Sequence, residues 1–415
     1  MKNLTTLLIS IVFIATFGFG QTTYVPDDNF EQALIDLGYD DVLNDSVLTA
    51  NISSVTSLDV RSKEISDLTG IEAFTALDYL NIGDNQLTNL DVSANTALTT
   101  LECWSNQLTS LNVSANTALT TLAISNNQLT SINVTSNTAL TILESYANQL
   151  TSLDVSNNTA LTELYVDGAE LATGLDVSSN TALTMLYCGG SGLTSLDVTN
   201  NTALTHLECY YNQITDLDVS SNTALTDLNC GPNQLTSLDV SSNTALTRLV
   251  FGGNQLTSLD VSNNTALSEL SCEYNQLTSL DVSANTALTW LFCFDNQLTS
   301  LDVSSNTALT RLYCEYNQLT SLDVSSNTAL TELLCDHNEI TSLDVSSHTA
   351  LTELYCNDNQ LTYLNMRNGV TDQLNEFYAT NNSSLTCIEV LDPTWATANW
   401  TSANGNIDAG VTFDV

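Results

Sequence analysis

Trp290, Phe292 and Phe294 alternate with Leu291 and Cys293 in one short segment. Arg311, Tyr313, Glu315 and Tyr316 stand one unit of 21 residues further on, and Tyr274 lies in the unit before. In an extended chain alternate side chains share a face. These residues therefore form one π-rich surface, with an arginine and a carboxylate giving it polar direction. Such a surface stacks on sugar rings or packs against a protein, and Arg311, one strand from Trp290, is placed for a cation–π contact. The competing reading is that the aromatics only brace a sheet across neighbouring strands. A secondary patch gathers Tyr165, Tyr187, Glu208, Tyr210 and Tyr211, and a plainer stretch with Asn229, Gly231, Val250, Gly252 and Gly253 separates the two.

Other chemistry-bearing residues recur too regularly to be a single active centre. Aspartate returns at 91, 154, 176, 197, 218, 239, 260, 281, 302, 323 and 344, and Asn112, Asn133 and Asn365 fill the same slot. Asp and Asn share the ability to accept from turn amides two or three residues on, so turn capping is the expectation and a Ca²⁺ ladder the alternative. Nine of the ten cysteines occupy one inward slot, where Ile82, Ile124, Ser145, Val166 and Phe251 stand in other units. That exchange suits a small apolar core position. Neighbouring strands lie about 4.8 Å apart, wider than the roughly 3.8 Å between Cβ atoms that a disulfide takes, so buried free thiols are expected. No C-x-x-C or histidine pairing supports a metal, and no cofactor is expected. His206, His337 and His348 fall in different units, the last in the Asn slot of Ser-Ser-Asn-Thr, where a surface or turn role is expected. No Gly-rich phosphate loop, nucleophile elbow or H-E-x-x-H is present, so the reading is non-catalytic.

What positions these residues is repetition. An asparagine returns every 21 residues from Asn85 to Asn359, with Ala169 and Ser191 at two of its positions and a single spacing of 22 between them. The phrase L-x-x-L-x-L/C-x-x-N-x-L is a leucine-rich-repeat signature. About sixteen units give a stack roughly 70 to 75 Å long. The expected fold is an α/β-type repeat solenoid with little helix, a parallel β-sheet on one face and short turns or extended segments on the other. The expected organisation is a signal peptide over 1–20, an N-terminal cap with a short helix over 21–50, the solenoid over 51–386 and a C-terminal cap over 387–415.

Six Lys or Arg against 47 Asp or Glu give a net charge of −41, which excludes a phosphate-binding role in nucleic-acid recognition. Leu4 to Phe19 is an apolar run behind one lysine, the form of a secretory leader rather than a membrane span. A secreted, extracellular or cell-surface monomer without membrane insertion is expected, with an extracellular protein or glycan as partner.

The 21-residue unit with cysteine in an inward slot, followed by Leu-Thr-Ser-Leu-Asp-Val-Ser-x-Asn-Thr-x-Leu-Thr, resembles the internalin J type of bacterial surface protein over roughly residues 50 to 386. The resemblance implies an adhesin-like binding protein whose strand face meets its ligand. An acidic spacer of an envelope or matrix, with no specific ligand, is the second reading.

Overall fold

The computed structural model describes residues 20–171 and 173–415. Apart from Gly20, the expected signal peptide lies outside the described residues.

Each unit makes one coil of short strand, turn and return segment, and the coils stack in register. Sixteen parallel strands, from Ser57–Asp59 to Glu376–Tyr378, form one sheet. Each is only three or so residues long, because a single leucine at its centre is what the coil must bury. Leu291 pairs with Leu312 and Leu270 with Leu291, so the leucines form a file that is fully buried along the stack. The cysteine slot makes a second buried file directly after the strand. All ten cysteines are free thiols, nine of them buried, and burial pushes Cys103 and Cys230 up to about 12. Thiols held so far above their usual range are inert side chains of the core.

Two asparagine files hold the coils together. Asn296 accepts from the Leu277 amide through Oδ1 (2.9 Å) and donates through Nδ2 to the carbonyls of Cys272 and Cys293. The second file, from Asn95 to Asn327, is wholly buried, and Asn222 donates to the Val198 and Asn201 carbonyls of the preceding coil, both at 2.9 Å. Leaving such carbonyls unpaired costs about 1–3 kcal/mol each. His348 occupies the next place in this file. It is fully buried, with Nε2 3.1 Å from the Val324 carbonyl, which corrects the expectation of a surface or turn histidine.

The return side is mostly irregular until Ser342–Asp344, which begins a second parallel sheet with Tyr363–Met366, Cys387–Val390 and Thr412–Asp414. Ahead of the first coil, the helix Asp28–Asp36 starts at Asp27, whose Oδ1 accepts from the amides of Asn29 and Phe30. The other oxygen of Asp27 accepts from Ser66, tying the helix start to the neighbouring coil, and Phe30 meets Phe74 with ring centroids 6.4 Å apart. At the other end Asn406 presents its carbonyl to the Ala379 amide at 2.7 Å, where a further coil would have done so. Trp400 packs on Phe377 there, 4.3 Å between centroids.

Candidate functional site

Because the leucine and cysteine of each coil point inward, the flanking positions form the open face of the sheet. Trp290 lies between Glu269 and Arg311, and Phe292 between Ser271 and Tyr313. The Arg311 guanidinium sits 4.8 Å from the Trp290 ring centroid and donates to Glu332 at 3.0 Å, and Tyr313 donates its hydroxyl to the same carboxylate. Phe292 and Tyr313 are 4.6 Å apart, Trp290 and Phe292 6.3 Å. Trp290 is 37% exposed, while Phe292, Phe294 and Tyr313 are half-buried.

Phe294, Glu315 and Tyr316 fall beyond the strand ends, in the turn that follows the cysteine. There the backbone adopts the left-handed region at nearly every coil, with φ near 50° for Tyr211, Tyr274 and Tyr316. Glycine, asparagine and aspartate take this conformation readily, and a bulky side chain takes it at a cost of about 1–2 kcal/mol. Three tyrosines hold it, and they are 68%, 57% and 48% exposed. Tyr274 meets Phe294 edge-on at 5.1 Å, and Tyr316 stacks on His337 at 4.1 Å. The conformation belongs to the turn that the coils share, since Ser105, Ala147 and His337 hold it too, and at three coils it carries an exposed tyrosine.

Glu315 is withdrawn rather than displayed. It is 9% exposed, and its Oε2 has no hydrogen-bond partner. Burial pushes its carboxyl up to about 7, with Asp336, Asp295 and Glu273 adding to the rise. Burial raises Asp336 as well, against the hydrogen bond it shares with His337 Nδ1 at 2.7 Å.

The second patch holds two tyrosine pairs. Tyr165 and Tyr187 stack at 4.8 Å, Tyr165 donates to Glu163 at 2.9 Å, and Tyr210 meets Tyr211 edge-on at 5.9 Å. Glu208 lies 4.0 Å from Arg248, which also pairs with Asp227 and Glu269. Here the glycines matter: a Cβ on Gly189 would stand 2.5 Å from the Tyr210 ring, and one on Gly83 would stand 2.3 Å from Trp104. The large ring of one coil lies over the glycine of the coil before. The readable signal is a glycine one unit ahead of an aromatic in the same slot, and residue types alone pass it over.

The aspartate file lies on the return side. Asp281 accepts from the Ser283 amide at 2.9 Å, as Asp91 does from Ser93, and hydrogen bonding from the serine side chain, then from its amide, holds both carboxyls below their usual range. Depressions on that side are lined by residues such as Asp154, Asp176 and Asp197. Among the described residues the one trio of carboxylates within 4.8 Å is Asp28, Glu31 and Asp45, and Glu31 already accepts from the amides of Asn44, Asp45 and Ser46. That carboxylate is an anchor for its loop. Among the described residues no helix is long and apolar enough to cross a membrane.

No protein-family model matches the chain. Among solved structures, the functional domain of InlJ from Listeria monocytogenes, which includes a cysteine ladder, is 37% identical, with a TM-score of 0.80 over 89% of this chain and 82% of that one. An internalin, inlF, from the same species is 24% identical over 81% of this chain and 91% of its own, with a TM-score of 0.58, and shares the fold. Internalin J of Listeria monocytogenes is 41% identical over 84 residues, a match that spans 19% of this chain and only 9% of that protein. A fold of this kind serves interaction with other molecules. With its stacked 21-residue coils and buried cysteine file, the chain belongs to the internalin J type of leucine-rich-repeat proteins.

Proposed function

We propose that the chain is an exported, monomeric, non-catalytic recognition protein that binds an extracellular protein or glycan on its strand face, in the manner of an adhesin. The observation that carries this reading is the concentration of Trp290, Phe292, Phe294, Tyr313, Tyr274 and Tyr316 on two adjoining edges of that face, with Trp290 and both turn tyrosines open to solvent. An exposed aromatic field of this sort marks binding surfaces, and a flat one suits a macromolecule better than a small metabolite. The segments before and after the coils act as caps in this reading, covering the apolar ends that every stack of repeats leaves open.

Sheet bracing is the second reading, favoured by the close Phe292–Tyr313 and Tyr165–Tyr187 contacts, and it would make the chain an acidic spacer. The two part company on one experiment. Residues 21–415 and their W290A/F292A/F294A variant are applied to a mixed array of glycans and extracellular proteins. Selective hits that fall at least about tenfold in the variant, the loss of one or two aromatic anchors, support recognition. No hits for either protein, with the variant melting earlier, support the spacer, while hits that the variant keeps move the binding site to a different face.

A further inference from the structure

The charge left over on the strand face is of one sign. Among the described residues every Lys and Arg has a carboxylate within 4.0 Å: Arg61 with Asp59, Lys63 with Asp36, Arg248 with three acids, Arg311 with Glu332 and Arg367 with Glu389. No described cation is free to answer the acids of the turn edge. In that edge the ladder bonds Asp295 N–Glu315 O and Tyr316 N–Asp336 O, both 3.1 Å, set Asp295, Tyr316, Glu315 and Asp336 on adjoining coils. Tyr274 and Tyr316 start two coils apart, about 9 to 10 Å, with Asp295 between them.

Glu315 is the anomaly within this group. A carboxylate that is nine-tenths buried with an oxygen lacking any partner is unstable as it stands and asks for a donor from outside. A cation on a thin stem suits this edge, because Phe294 holds the same slot as Glu315 on the preceding coil and Tyr316 follows it in the chain, so the neighbourhood is aromatic. A bare divalent ion fits less well: Ca²⁺ takes six to eight oxygens at about 2.3–2.6 Å, and the acids around Glu315 do not converge within 4.8 Å of one another. A lysine ammonium has three donors on four methylenes, and an arginine presents a plane that stacks on tyrosine.

We propose that Glu315 anchors a subsite for a lysine or arginine side chain of a basic polypeptide partner, with Tyr274, Phe294 and Tyr316 flanking the stem and Asp295 and Asp336 adding attraction. The proposal rests on the strand face being the binding face, and it names the partner as a cationic protein rather than a glycan. Binding carries a pH signature. Protonated Glu315 must lose its proton to meet the cation, so affinity rises from pH 6 to pH 8. The other titratable groups around it are Glu273, Asp295 and Asp336, the thiols of Cys293, Cys314 and Cys335 and the Tyr316 hydroxyl, and His337 lies beyond, between Asp336 and Asp358. Desolvation raises the thiols and the phenol further, so they stay protonated from pH 6 to pH 8.

An oligolysine peptide and its fully Nε-acetylated form are titrated by fluorescence anisotropy into the wild type, E315Q and D281N at about 0.15 M salt. Asp281 loses the same formal charge on the opposite side. The expected result is oligolysine binding that weakens about tenfold in E315Q at pH 8, the loss of one charge-assisted contact, and changes less than about twofold in D281N. The acetylated peptide does not bind, and the rise in affinity from pH 6 to pH 8 disappears in E315Q. Thermal melts of both variants confirm that each is folded. Equal affinity of E315Q and wild type overturns the proposal, as does an equal loss in D281N, which would mean diffuse attraction to a chain of charge −41. Calcium binding that depends on Glu315 without lysine binding also overturns it. If array hits vanish in the triple-alanine variant while E315Q keeps them all, the cation subsite falls and the binding face stands. Loss of neither removes the face itself.

Discussion

Two files of carboxylates run along this solenoid, and the fold moves them in opposite directions. On the return side Asp218, Asp260 and Asp281 each accept from a serine two residues on, and that hydrogen bonding lowers their pKa. On the other side of the coil, burial raises Glu144 and Glu208 in their strands and Asp336 and, furthest, Glu315 in the turn that follows. The first file is nearly constant from coil to coil and solves a turn that every coil must make. The second varies, and its members sit where the coil gains nothing by having an acid. An ionised group that the fold disfavours, at a position the repeat leaves free, is a candidate for recognition.

The contrast breaks first at the constant positions. Replacing Asn222 by Ala leaves the Val198 and Asn201 carbonyls of a central coil without their donor, and unfolding stability is expected to fall by about 2–5 kcal/mol in a denaturant titration. A loss under about 1 kcal/mol would mean that the buried asparagines are dispensable. For E315Q the sign reverses. A carboxyl whose pKa is raised by folding stabilises the protein least above its folded value and regains that stability as pH falls toward the unfolded value near 4.5. E315Q is therefore expected to be more stable than the parent at pH 8, by about 1–3 kcal/mol, with the gap closing toward pH 5. A gap of the opposite sign or one independent of pH would place Glu315 among the scaffold residues.

The smallest effect belongs to D281N. A depressed carboxyl contributes stability that is present above its unfolded pKa and lost as pH falls through its folded one, so the parent should weaken in acid below about pH 4; D281N, whose amide oxygen can accept the same bond, should melt with the parent at neutral pH and not follow that acid loss. The chain already carries this exchange: Asn112 and Asn133 accept from the amides of Ser114 and Thr135 at 3.0 Å, as aspartate does elsewhere. A clear loss at neutral pH would show that the charge itself holds the turn.

The period made the architecture readable, since a strand centred on one leucine follows from a single inward residue flanked by outward ones. The capping role of the aspartates was legible in the same way, from Asp and Asn sharing a slot. What the alternation could not convey was where the strand stops. Phe294 and Glu315 continue the in-out pattern on paper, yet the chain has already turned, and that turn is what buries Glu315 and throws Tyr316 outward. The second asparagine file was also hidden, because Ser-Ser-Asn-Thr has the composition of an exposed turn. Its near invariance was the available signal, and His348, the one departure at the end of the file, shows that the slot demands a buried donor rather than a turn former.

The ladder bonds all join one coil to the next, so they lie along the long direction of the stack. A pull applied at its two ends would load them in series and open them one at a time, as a zipper rather than as a shear joint. Each coil that lets go trades about 4.8 Å of solenoid for about 70 Å of extended chain. The molecule is thus built to lengthen in equal steps of one repeat, dissipating work at each, while coils still closed keep their aromatic face intact.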